Sequence, residues 1–182
     1  MTKIEAARTA LVLIDLMDRI VALPLEPRSG GQVVDHAGRL ADAFRAAGGT
    51  VVLVRVERPG VAEQPPGSGL VDGLTKEGDL VVVKRTIGAF QGTGLHEQLQ
   101  ERSVTTLVLG GIATNLGVES TARAAADQGY DLFFAEDAMT AFTAEEHKAA
   151  ITLNFPRIGE VVDTATVVDH LERSAGGHQG GI

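Results

Sequence analysis

Two charged residues in this chain have the types and positions to do proton-transfer chemistry. Asp15 directly follows the apolar run of "ALVLID", and Lys84 directly follows that of "DLVVVK". Each ends a stretch that reads as a buried strand, so both belong at the rim of a sheet. A carboxylate and an ammonium brought together there form either a proton-transfer pair or a structural salt bridge. A third place of interest is the turn "GGIATNLGVEST", residues 110–121, between an apolar run and a helix-compatible run. Strand-to-helix turns present backbone N–H groups and the positive end of the helix dipole to a ligand. The tip here is Asn115-Leu116-Gly117, with neither thiol nor hydroxyl at its end.

The elements that must position these residues are legible as periodicities. Five short runs, residues 10–15, 50–56, 79–84, 105–111 and 131–137, are mostly rich in Val, Leu or Ile without polar alternation. That pattern predicts strands buried on both faces, as in a parallel sheet. A weaker run, "GEVVDT", is a candidate sixth. Between them, "VVDHAGRLADAFRAAGG" places Val34, Ala37, Leu40, Ala41 and Phe44 on one helical face and stops at Gly-Gly. "GLHEQLQERS", "VESTARAAADQG" and "TATVVDHLERS" are further helical stretches, and "TAEEHKAAITLNF" opens with a Thr143/Glu146 capping box. The alternation predicts a three-layer α/β/α doubly wound fold with a mostly parallel sheet of five to six strands. One domain over residues 1–174 is expected, then a flexible Gly-rich tail over 175–182. Residues 58–78, with three prolines and five glycines, read as a long surface loop near the active edge.

In open parallel sheets, ligands bind beyond the carboxyl ends of the strands. Those ends carry Asp15, then Arg55-Val56-Glu57-Arg58, then Lys84-Arg85, then Thr114 and Asn115 in the turn, then Glu136-Asp137. Asp15, Lys84 and Asn115 converge if their strands are neighbours. Arg55 and Arg58 are candidates for a substrate carboxylate, with solvated surface arginine an equal alternative.

Composition removes other classes of function. Net charge is -8, and no Lys/Arg cluster exceeds a dipeptide, which argues against a nucleic-acid or anionic-membrane surface. Small anionic substrates remain open. There is no cysteine, which excludes disulfides, thiolate zinc sites and a cysteine nucleophile. The N-terminus lacks a signal pattern and no apolar run approaches the roughly 18 residues of a membrane span, so a cytoplasmic protein is expected. The five histidines lack metal spacing. His36, His96, His147 and His170 read as helix-surface or helix-packing residues. Ser120 and Thr121 sit a turn into a helix, where hydroxyls bond the preceding turn.

Taken together, "LVLIDLMD", "VVVKRTIGAFQGTGL" and "GGIATNLGVESTARAA" resemble the isochorismatase-like hydrolase family, from about residue 9 to about residue 169. The resemblance implies the fold above and a homodimer or larger homo-oligomer. In the family's thiol branch, an Asp-Lys-Cys triad acts on amides; its positions map to Asp15, Lys84 and Gly117, so the nucleophile's side chain is absent here. That branch also holds a metal through an Asp/His cluster after the second strand. The matching "RVERPGVAEQPPG" has no histidine, and neither metal nor other cofactor is expected. The branch with Gly at the thiol position cleaves an enol ether without a covalent intermediate and is the better match. True members carry Tyr-Ala-His in the turn, where this chain has Ala113-Thr114-Asn115. The resemblance further implies a cis peptide near Ile112-Ala113 and a pocket lined by the loop holding Phe90 and Gln91; plain core packing is the equal alternative for Phe90.

Three readings stay open on this basis. The first is a hydrolase of a small anionic molecule, with Asp15 as acid/base and Lys84 as electrostatic partner. The second is an amidase in which Asp15 activates water directly. The third is a ligand-binding protein on a retained scaffold.

Overall fold

In the computed structural model, which describes residues 4–176, the run Thr9–Ile14 is a strand (β1) with every side chain buried. Its pleat divides the molecule. Leu11 and Leu13 join one apolar layer, and Ala10, Val12 and Ile14 join the other, because successive side chains of a strand point to opposite faces. Each buried aliphatic side chain contributes roughly 1.5–3 kcal/mol. A strand with no polar alternation is therefore stable only between two layers.

The remaining strands are β2 (Thr50–Val56), β3 (Leu80–Lys84), β4 (Thr106–Ile112), β5 (Asp131–Thr140) and β6 (Glu160–Val162). The sheet order is β3-β2-β1-β4-β5-β6, parallel throughout. The helices are α1 (Asp18–Val21), α2 (Gly30–Ala46), α3 (Leu95–Glu101), α4 (Glu119–Asp127), α5 (Ala144–Ala149) and α6 (Thr164–Gly176). α2 and α6 cover one face through Val33, Leu40, Phe44, Val167 and Leu171. α3, α4 and the segment after α5 cover the other through Leu95, Leu99, Ala122, Ala125 and Phe155. The strand order reverses between β1 and β4, and such a switch point opens a crevice at the carboxyl ends.

Several local expectations shift. α2 starts earlier than its apolar pattern suggested, at a capping box in which Ser29 and Gln32 bond reciprocally. On the face shared with Ala37, Leu40, Ala41 and Phe44, Val33 is the buried residue and Val34 is only half-buried. The helix after the turn opens as a π-helical turn, Thr114–Val118, before α4 begins. β5 does not end at Glu136-Asp137: its pairing with β4 shifts register after Leu109 and the strand runs on to Thr140. Asp137 there accepts hydrogen bonds from the backbone N and Oγ1 of Thr164 (2.8 and 2.7 Å), so it caps α6 and does not face the crevice. Ala175 and Gly176, expected in the tail, belong to α6; the rest of that stretch lies outside the described residues.

Candidate active site

Asp15 leaves β1 through a sharp bend. Its φ is 54°, in the left-handed region that Asp tolerates better than most side chains but at a cost of about 1–2 kcal/mol. Two backbone bonds hold the bend: Asp15 N donates to Val54 O and Met17 N donates to Asp15 O, each at 2.8 Å. Gly111 lets the neighbouring strand follow. Its φ is 120°, and a side chain there would run into the backbone of Ile14. The next peptide bond but one, Ile112-Ala113, is cis, as the resemblance implied.

Lys84 Nζ lies 2.9 Å from Asp15 Oδ2 and also donates to Ile87 O at 2.5 Å. Both residues are buried, with Lys84 only 2% exposed. Their strands are not neighbours. β2 lies between β3 and β1, and the four-carbon lysine stem crosses its end. Asp15 Oδ1, also buried, has no hydrogen-bond partner among the described residues. Burial pushes the Asp15 pKa above the usual carboxylate range, while the Lys84 charge and hydrogen bond, then the Arg19 charge, pull it back. Gly117 sits against the pair: a Cβ at this position would lie 3.3 Å from Lys84 Nζ, 3.5 Å from Asp15 Oδ2 and 2.9 Å from Ile14 Cγ2.

These three residues open onto a cavity of about 480 Å³. Its walls include Arg19 and Ile20 of α1, Leu23, Val56 to Pro59, Arg85 to Ile87, Ile112, Ala113, Leu116 and Phe142. Of the expected binding residues, Ala113 lines this cavity. Arg55 does not; its guanidinium pairs with Glu57 at 2.8 Å. Phe90 and Gln91 line an adjoining cavity that shares Thr86 and Ile87 with the first. Asn115, in the turn itself, is half-buried and not among the residues lining this cavity, and its Oδ1 has no partner among the described residues. Arg58 stands exposed at the rim.

Thr114 points away from the cavity. It is fully buried, and its Oγ1 shares a 2.7 Å hydrogen bond with His147 Nδ1 of α5. Burial, with the Arg28 charge, lowers the His147 pKa to about 4, so the ring is neutral at pH 7. Thr121 Oγ1 donates to Gly117 O (2.7 Å) and accepts from Ala89 N (3.1 Å), tying the turn to the loop after Lys84. This is the back-bonding read from its place in the helix.

Sequence reasoning missed Arg19, His147 and the apolar rim. Arg19 lies in the short α1, Asp18–Val21, which carried no clear helical pattern along the chain, and it reaches the cavity only because the chain bends back at Asp15. His147 had no signal either, because its partner is far away in sequence. Residues 55–67 hold no histidine, and no group of three or more His, Asp or Glu side chains that could hold a metal ion is found among the described residues.

Comparison with known proteins places the chain in a family. The isochorismatase domain model matches residues 9–166. The uncharacterized isochorismatase family protein YecD of Escherichia coli O157:H7 is 38% identical, with 94% of this chain and 100% of that protein covered. The uncharacterized isochorismatase family protein YwoC of Bacillus subtilis is 39% identical, with 93% and 97% covered. Among solved structures, an isochorismatase family protein from Burkholderia thailandensis superposes with a TM-score of 0.84 at 38% identity, covering 91% of this chain and 96% of that one. With a family model spanning most of its length and relatives matched nearly end to end, this chain belongs to the isochorismatase family of hydrolases.

Proposed function

We propose that this chain hydrolyses a small anionic molecule without a covalent thiol intermediate, with Asp15 as the acid/base and Lys84 as its electrostatic partner. The carboxyl of Asp15 carries the reading. One oxygen is held by Lys84, while the other is buried without a partner among the described residues and the group lines a cavity. An unsatisfied buried acceptor costs about 1–3 kcal/mol, which a bound substrate or water relieves.

Enol ether hydrolysis fits these parts. Asp15 in its acid form delivers a proton to the vinyl carbon, water adds to the resulting oxocarbenium carbon and returns a proton to the Asp15 carboxylate, and the hemiketal collapses to a ketone and an alcohol. Burial favours the acid form, and an anionic substrate offsets the neighbouring cations that oppose it. Lys84 stabilises the leaving oxygen or the substrate's own anion. The missing side chain at Gly117 leaves the space beside both groups to the substrate.

The ion pair itself supports a second reading, since Lys84 at 2.9 Å also favours the carboxylate, which would activate water against an amide. Either way the partner is a small molecule. Net charge -8 offers no nucleic-acid surface, and no described helix is long and apolar enough to cross a membrane. A cytoplasmic homodimer or larger homo-oligomer completes the proposal. The test is Asp15→Asn assayed against enol ethers, esters and amides. A loss of roughly 10²–10⁴-fold is expected; turnover that survives the change overturns the assignment.

A further inference from the structure

The long loop after β2 is built around one side chain of the cavity wall, Arg19. Arg19 N donates to Gly67 O at 3.0 Å, Asp18 N donates to Gly69 O at 3.1 Å, and Val71 N donates to Leu16 O at 3.0 Å. Gly67 has φ +74°, and a Cβ there would press on the Arg19 backbone at 3.0 Å, so the loop's approach requires glycine. Within this clasp, Arg19 Nε donates to Ser68 Oγ (3.1 Å), and Ser68 Oγ donates in turn to Pro65 O (2.6 Å). Ser68 is buried. The guanidinium is thereby oriented by a bond that uses Nε alone.

No carboxylate among the described residues lies within ion-pair distance of Arg19. The other arginines of this region differ. Arg55 and Arg85 both pair with Glu57, each at 2.8 Å. Arg58 is exposed, and only its backbone is held, by Gln64. Arg19 is half-buried, held at Nε, unneutralised and on the wall of the cavity that holds Asp15. A guanidinium in that state offers its two terminal nitrogens as a fork that matches a carboxylate. Around it the wall is apolar, with Ile20, Leu23, Ile87, Leu116 and Phe142; of these Leu23, Ile87, Leu116 and Phe142 are solvent-exposed.

We infer that Arg19 is the substrate-specificity residue, binding end-on the carboxylate of a molecule whose apolar body lies against this rim. The inference deepens the hydrolase reading and rests on it for taking the cavity as the substrate site. It also accounts for the loop: its proline- and glycine-rich course serves to hold Arg19 in one orientation before substrate arrives, which lowers the ordering cost of binding.

The test uses phenoxyacetate and its neutral, non-hydrolysable analogue 2-phenoxyethanol, with binding read by NMR titration. Unmodified protein is expected to bind the acid at least tenfold more tightly, as charge-assisted hydrogen bonds imply. Arg19→Met, checked for folding by circular dichroism, should cut that preference by roughly tenfold, weakening phenoxyacetate far more than 2-phenoxyethanol. Arg58→Met should keep the preference. If Arg19→Met does not fold, Arg19→Lys carries the test: charge and stem remain, the fork is lost, and the preference should fall several-fold. The inference is overturned if unmodified protein shows no preference, including no binding of either probe. It is equally overturned if a folded Arg19 variant keeps the full preference, or if Arg58→Met loses as much. Turnover of 2-phenoxyacrylate to pyruvate and phenol is scored separately. Asp15-dependent turnover with an acid preference indifferent to Arg19 defeats this inference alone. An Arg19-dependent preference with no turnover of any enol ether, ester or amide defeats the hydrolase reading alone.

Discussion

Lys84 reaches Asp15 across a strand that belongs to neither: β2 separates β3 from β1, yet Lys84 Nζ and Asp15 Oδ2 are 2.9 Å apart. The pair is buried, so each charge depends on the other. Removing one partner of a buried pair costs about 3–5 kcal/mol, because the remaining charge has no water to turn to. Lys84→Met should lower stability by that order in urea unfolding. It should also move the Asp15 pKa further up, since Lys84 is the leading influence that holds it down. An unchanged midpoint in urea would mean that the pair contributes nothing to the fold.

The pH dependence of kcat/KM separates the two catalytic readings. Asp15 has a raised pKa. If the acid form works, the rate is highest below that pKa and falls as pH rises through it. If the carboxylate works as a base, the rate rises through the same pKa. A descending limb is expected with enol ethers. In Lys84→Met any residual activity should carry that limb at higher pH.

Gly117 should tolerate no larger residue without a loss of activity. The Cβ of Gly117→Ala meets Ile14 Cγ2 at 2.9 Å, and overpacking of this kind costs about 1–3 kcal/mol. Turnover should fall by roughly tenfold or more, less than the 10²–10⁴-fold expected for outright loss of the acid/base group. Gly117→Cys adds a thiol whose Cβ is 3.3 Å from the lysine ammonium. That neighbour favours the thiolate, so iodoacetamide should alkylate this cysteine faster than a free cysteine at pH 7. Alkylation no faster than free cysteine would show that the ammonium does not act on this position.

His147 should set the acid limit of the fold. Its pKa is lowered from 6.5 to about 4, so its contribution is present above pH 6.5 and is lost as pH falls toward 4. The loss is roughly 3 kcal/mol. In His147→Gln the part of the acid-side decline between those pH values should flatten in thermal melts. Because His147 holds Thr114 of the turn, kcat should also fall while simple carboxylate binding stays nearly unchanged. An acid limb identical to that of the unmodified protein would rule out this role.

Much of this was legible along the chain because it is local. A strand buried on both faces must be apolar at every position, so β1, β2 and β4 announce themselves. β3 carries the same pattern but is the edge strand, with Val81 48% exposed, and in either case the charged residue that ends the run lies at the rim. That argument reached Asp15 and Lys84 directly. It failed at β5, where a register shift carries the strand past Glu136 and Asp137, because register depends on the partner strand and not on the run itself.

What tertiary structure decided were the pairings between distant residues. Sequence order could not say that β2 intervenes between the two charged residues, since the rim is assembled from separate strands and a lysine stem is long enough to cross one. It could not choose among arginines. Arg55 and Arg85 are neutralised by Glu57, and Arg19 is left unpaired by a loop contributed some 50 residues later, as the Arg19–Ser68 separation of 49 shows. Nor could it see that Thr114 turns inward to His147. Composition and periodicity determine which residues must be buried and where the runs end. Only packing decides which charges meet, because electrostatic partnership is set by distance in space, and the fold alone makes Asp15, Lys84, Arg19 and Gly117 neighbours.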